Sequence, residues 1–106
     1  MFQKDLLKGK RILVTGGGTG LGRGMSEKFL ELGANVVICG RRKVLLDQAA
    51  EEMMKKCGGK VDTFGLDIRD AAAVDHMVEE IFATGPLSGL VNNAAGNFIS
   101  RTEDLS

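Results

Sequence analysis

The glycine-rich stretch Thr15-Gly16-Gly17-Gly18-Thr19-Gly20-Leu21-Gly22 constrains this chain more than any other feature. It follows directly on the apolar run Ile12-Leu13-Val14 and leads into Leu21, Met25, Phe29 and Leu32, apolar residues at four- and three-residue intervals. The run reads as a strand and the periodic segment as a helix stopped at Gly33. Between them, glycines let the backbone turn where a side chain would block it. Strand, tight turn and helix in that order open a βαβ unit.

The rest of the chain continues the rhythm. Val36-Val37-Ile38-Cys39, Val61 to Leu66 and Gly89-Leu90-Val91 read as further strands, the first and last of them apolar runs without alternation, the pattern of parallel strands covered on both faces. Val44, Leu45, Ala49 and Met53 mark a second helix ending at Gly58-Gly59, and Val74, Met77, Val78, Ile81 and Phe82 mark a third. Asp70 is placed to cap the third helix, and Gly85-Pro86 to end it. Strands begin roughly 25 residues apart, the spacing of βαβ units. The expected fold class is α/β, a β-α-β-α-β-α-β order whose right-handed crossovers give the strand order 3-2-1-4. An apolar fourth strand at the edge, without charge or proline to blunt it, reads as half of a larger sheet.

Composition removes several functions. Lys+Arg and Asp+Glu both number 14, a balance without the basic excess of a nucleic-acid binder. No apolar run approaches the roughly 18 residues that span a bilayer. The first ten residues interleave charged and apolar side chains, unlike a secretory leader. Cys39 and Cys57 lack metal-ligand spacing, and free thiols in a reducing cytoplasm are expected. Asp67 and Asp70 have no His or Cys beside them, so no metal site is expected. His76 reads as a surface residue, and Glu51-Glu52 and Glu79-Glu80 as solvated helix faces.

The glycine turn carries the chemistry. A helix beginning there offers unpaired amides and a positive dipole end to a pyrophosphate, the dipole alone contributing ~0.3–1 kcal/mol. A P-loop is disfavoured, because no Gly-Lys followed by Ser or Thr closes the stretch. Three residues separate Gly16 from Gly20 and one separates Gly20 from Gly22. This spacing resembles the Thr-Gly-x-x-x-Gly-x-Gly motif of the short-chain dehydrogenase/reductase family. Asp67-Ile68 after the third strand and Leu90-Val91-Asn92-Asn93-Ala94 on the fourth match the family's next landmarks, so the resemblance covers nearly the whole chain.

It implies a Rossmann-type doubly wound sheet, of which residues 1–106 form the N-terminal part of a single NADP-binding domain, the remainder being absent from this chain. The coenzyme would rest on Gly16, Gly18, Thr19, Gly20, Leu21 and Gly22, with Asp67 accepting from the adenine amine and Ile68, Asn93, Ala94 and Ala95 lining the adenosine. NAD-binding folds usually place a carboxylate about 20 residues past the glycines. Gly40 stands there instead, followed by Arg41 and Arg42. A charge-assisted arginine–phosphate bond contributes on the order of 1.5–3 kcal/mol, and a tenfold preference needs only about 1.4. The expected coenzyme is therefore NADP(H). Thr19 departs from many NADP-using relatives, which carry a basic residue there.

Asn92-Asn93-Ala94-Ala95-Gly96-Asn97-Phe98-Ile99-Ser100 resembles the 2,4-dienoyl-CoA reductase subgroup, as does Arg23-Gly24-Met25 after the turn. That resemblance implies a catalytic role for Asn97 at the thioester oxygen and acyl-CoA contacts for Arg69 and Phe98. It also implies a downstream Tyr-x-x-x-Lys, assembly as a homo-tetramer and a part in fatty acid metabolism. The chain has no tyrosine, so by itself it would hold the adenosine and pyrophosphate half of the coenzyme and be inactive. A reductase of 3-oxoacyl thioesters or other ketones, a non-catalytic NADP-binding regulatory module and a flavodoxin-like domain are the alternatives. No nucleic-acid or membrane partner is expected, and the expected location is cytoplasmic.

Overall fold

The computed structural model describes residues 5–93. Strand β1 (Arg11–Thr15) leads to helix α1 (Gly20–Glu31), then β2 (Asn35–Gly40), α2 (Lys43–Cys57), β3 (Val61–Gly65), α3 (Ala71–Ala83) and β4 (Gly89–Asn92). All strand pairs are parallel and the sheet order is β3-β2-β1-β4, as expected from the apolar runs and crossover handedness. In register, Ile12 pairs with Val36 on one side and with Gly89 on the other.

The lack of alternation in β1 and β2 has a direct cause. Ile12, Val14, Val36 and Ile38 join the core under α1 and α2, whereas Leu13, Val37 and Cys39 join the core under α3. Successive side chains point to opposite faces of a strand, and here both faces are covered, so every position must be apolar.

The helices differ from the sequence expectation in the faces they bury. Leu21, Val44, Leu45 and Phe82 are exposed. In α1 the buried residues are Gly22, Ser26 and Leu30, and in α2 they are Leu46, Ala49, Ala50 and Met53. The apolar stripe of α1 is met in part: Phe29 packs against the core at partial burial, whereas Leu21 is exposed and the fully buried line runs through Gly22, Ser26 and Leu30. Ser26 is tolerated there because its hydroxyl donates to the Gly22 carbonyl oxygen at 2.8 Å. In α3, Met77 and Ile81 are buried and Val74 and Val78 pack beside them.

Asp70 caps α3 as expected, its Oδ1 accepting from the Ala73 amide at 3.2 Å. The other end of α3 is held by a residue that periodicity does not reveal. The Arg11 guanidinium donates to the Ile81 carbonyl oxygen (2.8 Å) and to Thr84 Oγ1 (2.8 Å). A cation at a helix C-terminus meets the negative end of the dipole and its orphan carbonyls. Arg11 thus pins the last turn of α3 to the central strand.

Candidate functional site

The strand order reverses at β1, since the chain moves to β2 on one side and to β4 on the other. In open parallel sheets a crevice forms at such a reversal, outside the carboxyl ends of the strands. The glycine turn lies at that end of β1. The Gly16 amide donates to the Cys39 carbonyl oxygen at 3.0 Å, which ties the turn to β2. Gly16 and Gly20 have φ of 66° and 53°, in the left-handed region that L-residues rarely adopt.

Close approach explains two more glycines. A Cβ on Gly22 would collide with the Gly16 carbonyl oxygen and stand 2.7 Å from Asn93 Nδ2. On Gly17 it would collide with the Ile38 side chain. The turn is therefore packed tightly on its inner side. Its outer side is open: Gly20 has nothing within 4 Å of its Cβ position, and Leu21 projects into solvent. Thr19 is the N-cap of α1 in an extended conformation, yet its side chain makes no capping bond, and the first turn holds no acidic residue. Among the described residues, neither the cap nor the first turn of α1 supplies a group to answer the positive end of its dipole.

Thr15 closes the site at the β4 side, a role that the motif marks only as its first letter. Its hydroxyl donates to Asn92 Oδ1 (3.0 Å) and accepts from the Asn93 amide (2.7 Å). Asn93 is so held against Gly22, which brings the end of β4 onto the glycine turn.

On the β2 side a cleft of about 170 Å³ opens between the turn and α2. Gly16, Gly18 and Thr19 form one wall, Cys39 to Arg42 the floor, and Leu45 and Leu46 the other wall. Five of the expected coenzyme residues, Gly16, Gly18, Thr19, Arg41 and Arg42, thus come together, and the exposure of Leu45 is accounted for. A Cβ on Gly40 would meet Leu46 at 3.5 Å, an ordinary contact. Packing therefore does not forbid a side chain there, and the missing carboxylate is a matter of charge. A larger cavity, of about 630 Å³, is lined by Lys10, Arg11, Lys60, Phe64 and Pro86. It lies at the amino ends of the strands, on the side remote from the glycine turn.

Asp67 lies two residues past β3. Its Oδ1 accepts from the Arg69 amide (2.9 Å) and Nε (3.2 Å), and its Oδ2 from Arg69 Nη2 (3.0 Å). Arg41 Nη1 stands 3.8 Å from the same Oδ2. The hydrogen bonds from Arg69, aided by the charge of Arg41, hold the Asp67 carboxyl down at about 2. The Ile68 side chain turns into the core under α3, so any contact it makes with a ligand is through its backbone. Ala94, Ala95, Asn97 and Phe98 lie outside the described residues.

Cys39 sits in the cleft floor as a free, buried thiol, and burial pushes it up from 9.0 to about 11. Between those values the unfolded chain releases this proton and the folded one keeps it, so stability falls as pH rises from about 9 to 11. At pH 8 a thiol reagent is expected to label the half-buried Cys57 of the native protein and leave Cys39 unmodified until the protein unfolds. Mass spectrometry of the labelled peptides checks this. His76 is exposed and pairs with Glu80 at 2.8 Å, remote from chemistry.

A family model described as short chain dehydrogenase matches residues 10–106. The chain belongs to the short-chain dehydrogenase family. It is 50% identical to a probable 2,4-dienoyl-CoA reductase 3 [(3E)-enoyl-CoA-producing] of Caenorhabditis elegans over its full length, covering 35% of that protein. It is 41% identical to the peroxisomal 2,4-dienoyl-CoA reductase of Arabidopsis thaliana, covering 99% of this chain and 35% of that one. Among solved structures, the citronellol catabolism dehydrogenase of Pseudomonas aeruginosa PAO1 superposes with a TM-score of 0.83 at 40% identity, over 88% of this chain and 39% of that one. The L-sorbose reductase of Gluconobacter frateurii, solved with NADPH and L-sorbose, superposes with a TM-score of 0.81 at 31% identity, over 88% and 36%. The chain thus spans about a third of the length of the curated relatives it matches.

The comparisons overturn one expectation. The relatives from Arabidopsis thaliana, Danio rerio and Mus musculus are peroxisomal, not cytoplasmic. Composition and free thiols constrain the redox state of a compartment, whereas organelle addresses are short signals read by receptors, and neither cysteine reports on them. Among the described residues no helix is long and apolar enough to cross a membrane.

Proposed function

We propose that these residues hold the adenosine diphosphate half of NADP(H) in an oxidoreductase that reduces 2,4-dienoyl-CoA thioesters. The observation that carries the coenzyme reading is the cleft between the glycine turn and α2, with Gly40 and Arg41 on its floor. The α1 amides would receive the pyrophosphate, and the tightly packed glycines admit it to the backbone. Arg41, with Arg42 beside it, would bind the 2′-phosphate with a planar fork suited to phosphate. Asp67, held ionised by the bonds from Arg69, would accept from the adenine amine. When bound, the coenzyme supplies the hydride.

The substrate class rests on the relatives named as 2,4-dienoyl-CoA reductases. Asn97 would donate to the thioester oxygen as it gains negative charge, while Phe98 and Arg69 would contact the acyl-CoA. No tyrosine is present in the 106 residues, so the proton donor that the family resemblance implies is not among them. The homo-tetramer belongs to the same proposal.

The test is NADPH oxidation by the whole protein, followed at 340 nm with a 2,4-dienoyl-CoA and, in parallel, a 3-oxoacyl-CoA. Turnover of the dienoyl substrate at least tenfold above the other supports the reading. The reverse preference moves the activity to ketone reduction, and binding without turnover of either indicates a regulatory module.

A further inference from the structure

Arg69 spends three donors on one acidic side chain: its amide and Nε on Asp67 Oδ1, and Nη2 on Oδ2. A carboxylate has about four acceptor positions, so one remains, on Oδ2. Arg41 Nη1 faces that oxygen at 3.8 Å, inside ion-pair range and beyond hydrogen-bond length. Arg41 is thus held loosely, and Asp67 is already neutralised by another residue.

We infer that Arg69 is a positioning residue for coenzyme preference: by occupying Asp67 it leaves Arg41 free for a 2′-phosphate. This rests on the coenzyme reading above and gives Arg69 a task apart from any acyl-CoA contact. Without Arg69, the bare Asp67 carboxylate draws Arg41 into a close pair and repels a phosphate arriving beside it. Both effects act against a coenzyme carrying the 2′-phosphate and leave one without it untouched. With Arg69 in place, Arg41 passes from Asp67 to the phosphate, and the vacated position on Oδ2 becomes available to the adenine amine.

The experiment is fluorescence titration of the whole protein with NADPH and with NADH, for wild type, Arg69→Gln, Asp67→Asn and the Arg69→Gln/Asp67→Asn double variant. The ratio of the two dissociation constants is read, because a loss of folded protein or of the adenine contact moves both coenzymes together. Arg69→Gln is expected to reduce the preference for NADPH about two- to fivefold, the range that exposed ion pairs support. The double variant is expected to restore the wild-type ratio, since it removes the competing carboxylate. An unchanged ratio in Arg69→Gln overturns the inference, as does an equal loss for both coenzymes. A double variant that stays low also overturns it, because Arg69 would then bind the phosphate directly. If the wild type itself shows no preference, the coenzyme reading fails first and the inference with it.

Discussion

Gly22→Ala is expected to lose coenzyme binding altogether and to unfold at a markedly lower denaturant concentration. The added methyl would fall on the Gly16 carbonyl oxygen, 2.8 Å from the Gly16 carbonyl carbon and 2.7 Å from Asn93 Nδ2. The Gly16 backbone cannot retreat cheaply, because its amide is tied to the Cys39 carbonyl oxygen. Overpacking costs about 1–3 kcal/mol where side chains can adjust, and here the obstacle is backbone, so about 3 kcal/mol is the appropriate size. That is a large share of the stability of an ordinary domain. Gly24→Ala is the control in the same helix. It has nothing within 4 Å of its Cβ position, and alanine there is expected to stabilise by roughly 0.5–1 kcal/mol. Urea midpoints and an NADPH titration of both variants check the pair. Equal behaviour of the two would remove the argument that α1 must touch the turn.

Arg41→Ala is expected to weaken NADPH binding about ten- to hundredfold while NADH binding changes less than twofold. The magnitude is that of one charge-assisted bond to phosphate, about 1.5–3 kcal/mol. Gly40→Asp should act in the same direction by a different route. A Cβ there stands at ordinary contact distance from Leu46, so the variant is expected to fold, and its carboxylate would repel the 2′-phosphate and accept from a 2′-hydroxyl. Combining the two changes is expected to invert the preference in favour of NADH. Equilibrium titrations with both coenzymes decide the matter, and a parallel loss for both would place Arg41 elsewhere than at the phosphate.

Much of this architecture was legible in the residues alone. The four strands appear where the sequence places them, but burial on two faces holds only for the interior β1 and β2, while the edge strands β3 and β4 are partly covered and Leu90 is exposed. The glycine turn was legible because few other constraints put so many glycines between a strand and a helix. The buried helix faces were harder to read. The buried line of α1 includes Gly22 and Ser26, which a search for large apolar residues passes over. Leu21 and Leu45 are apolar yet exposed, Leu45 at the cleft, so apolarity alone does not place them in the core. The roles of Arg11 and Thr15 depend on partners about 70 or more residues away, and no local pattern announces such contacts. Arg69 was legible as a cation but not as the partner of Asp67, because an Asp-x-Arg spacing in a loop admits many geometries.

The position of β1 has a consequence for biosynthesis. Among the described strands the earliest in the chain is an interior one, and its partner β4 arrives only with Gly89 to Asn92. A nascent chain can pair β1 with β2 early, but the Thr15 hydroxyl waits for Asn93 before the glycine turn is enclosed. The cradle from Gly16 to Gly22 is therefore completed by a residue translated long after it.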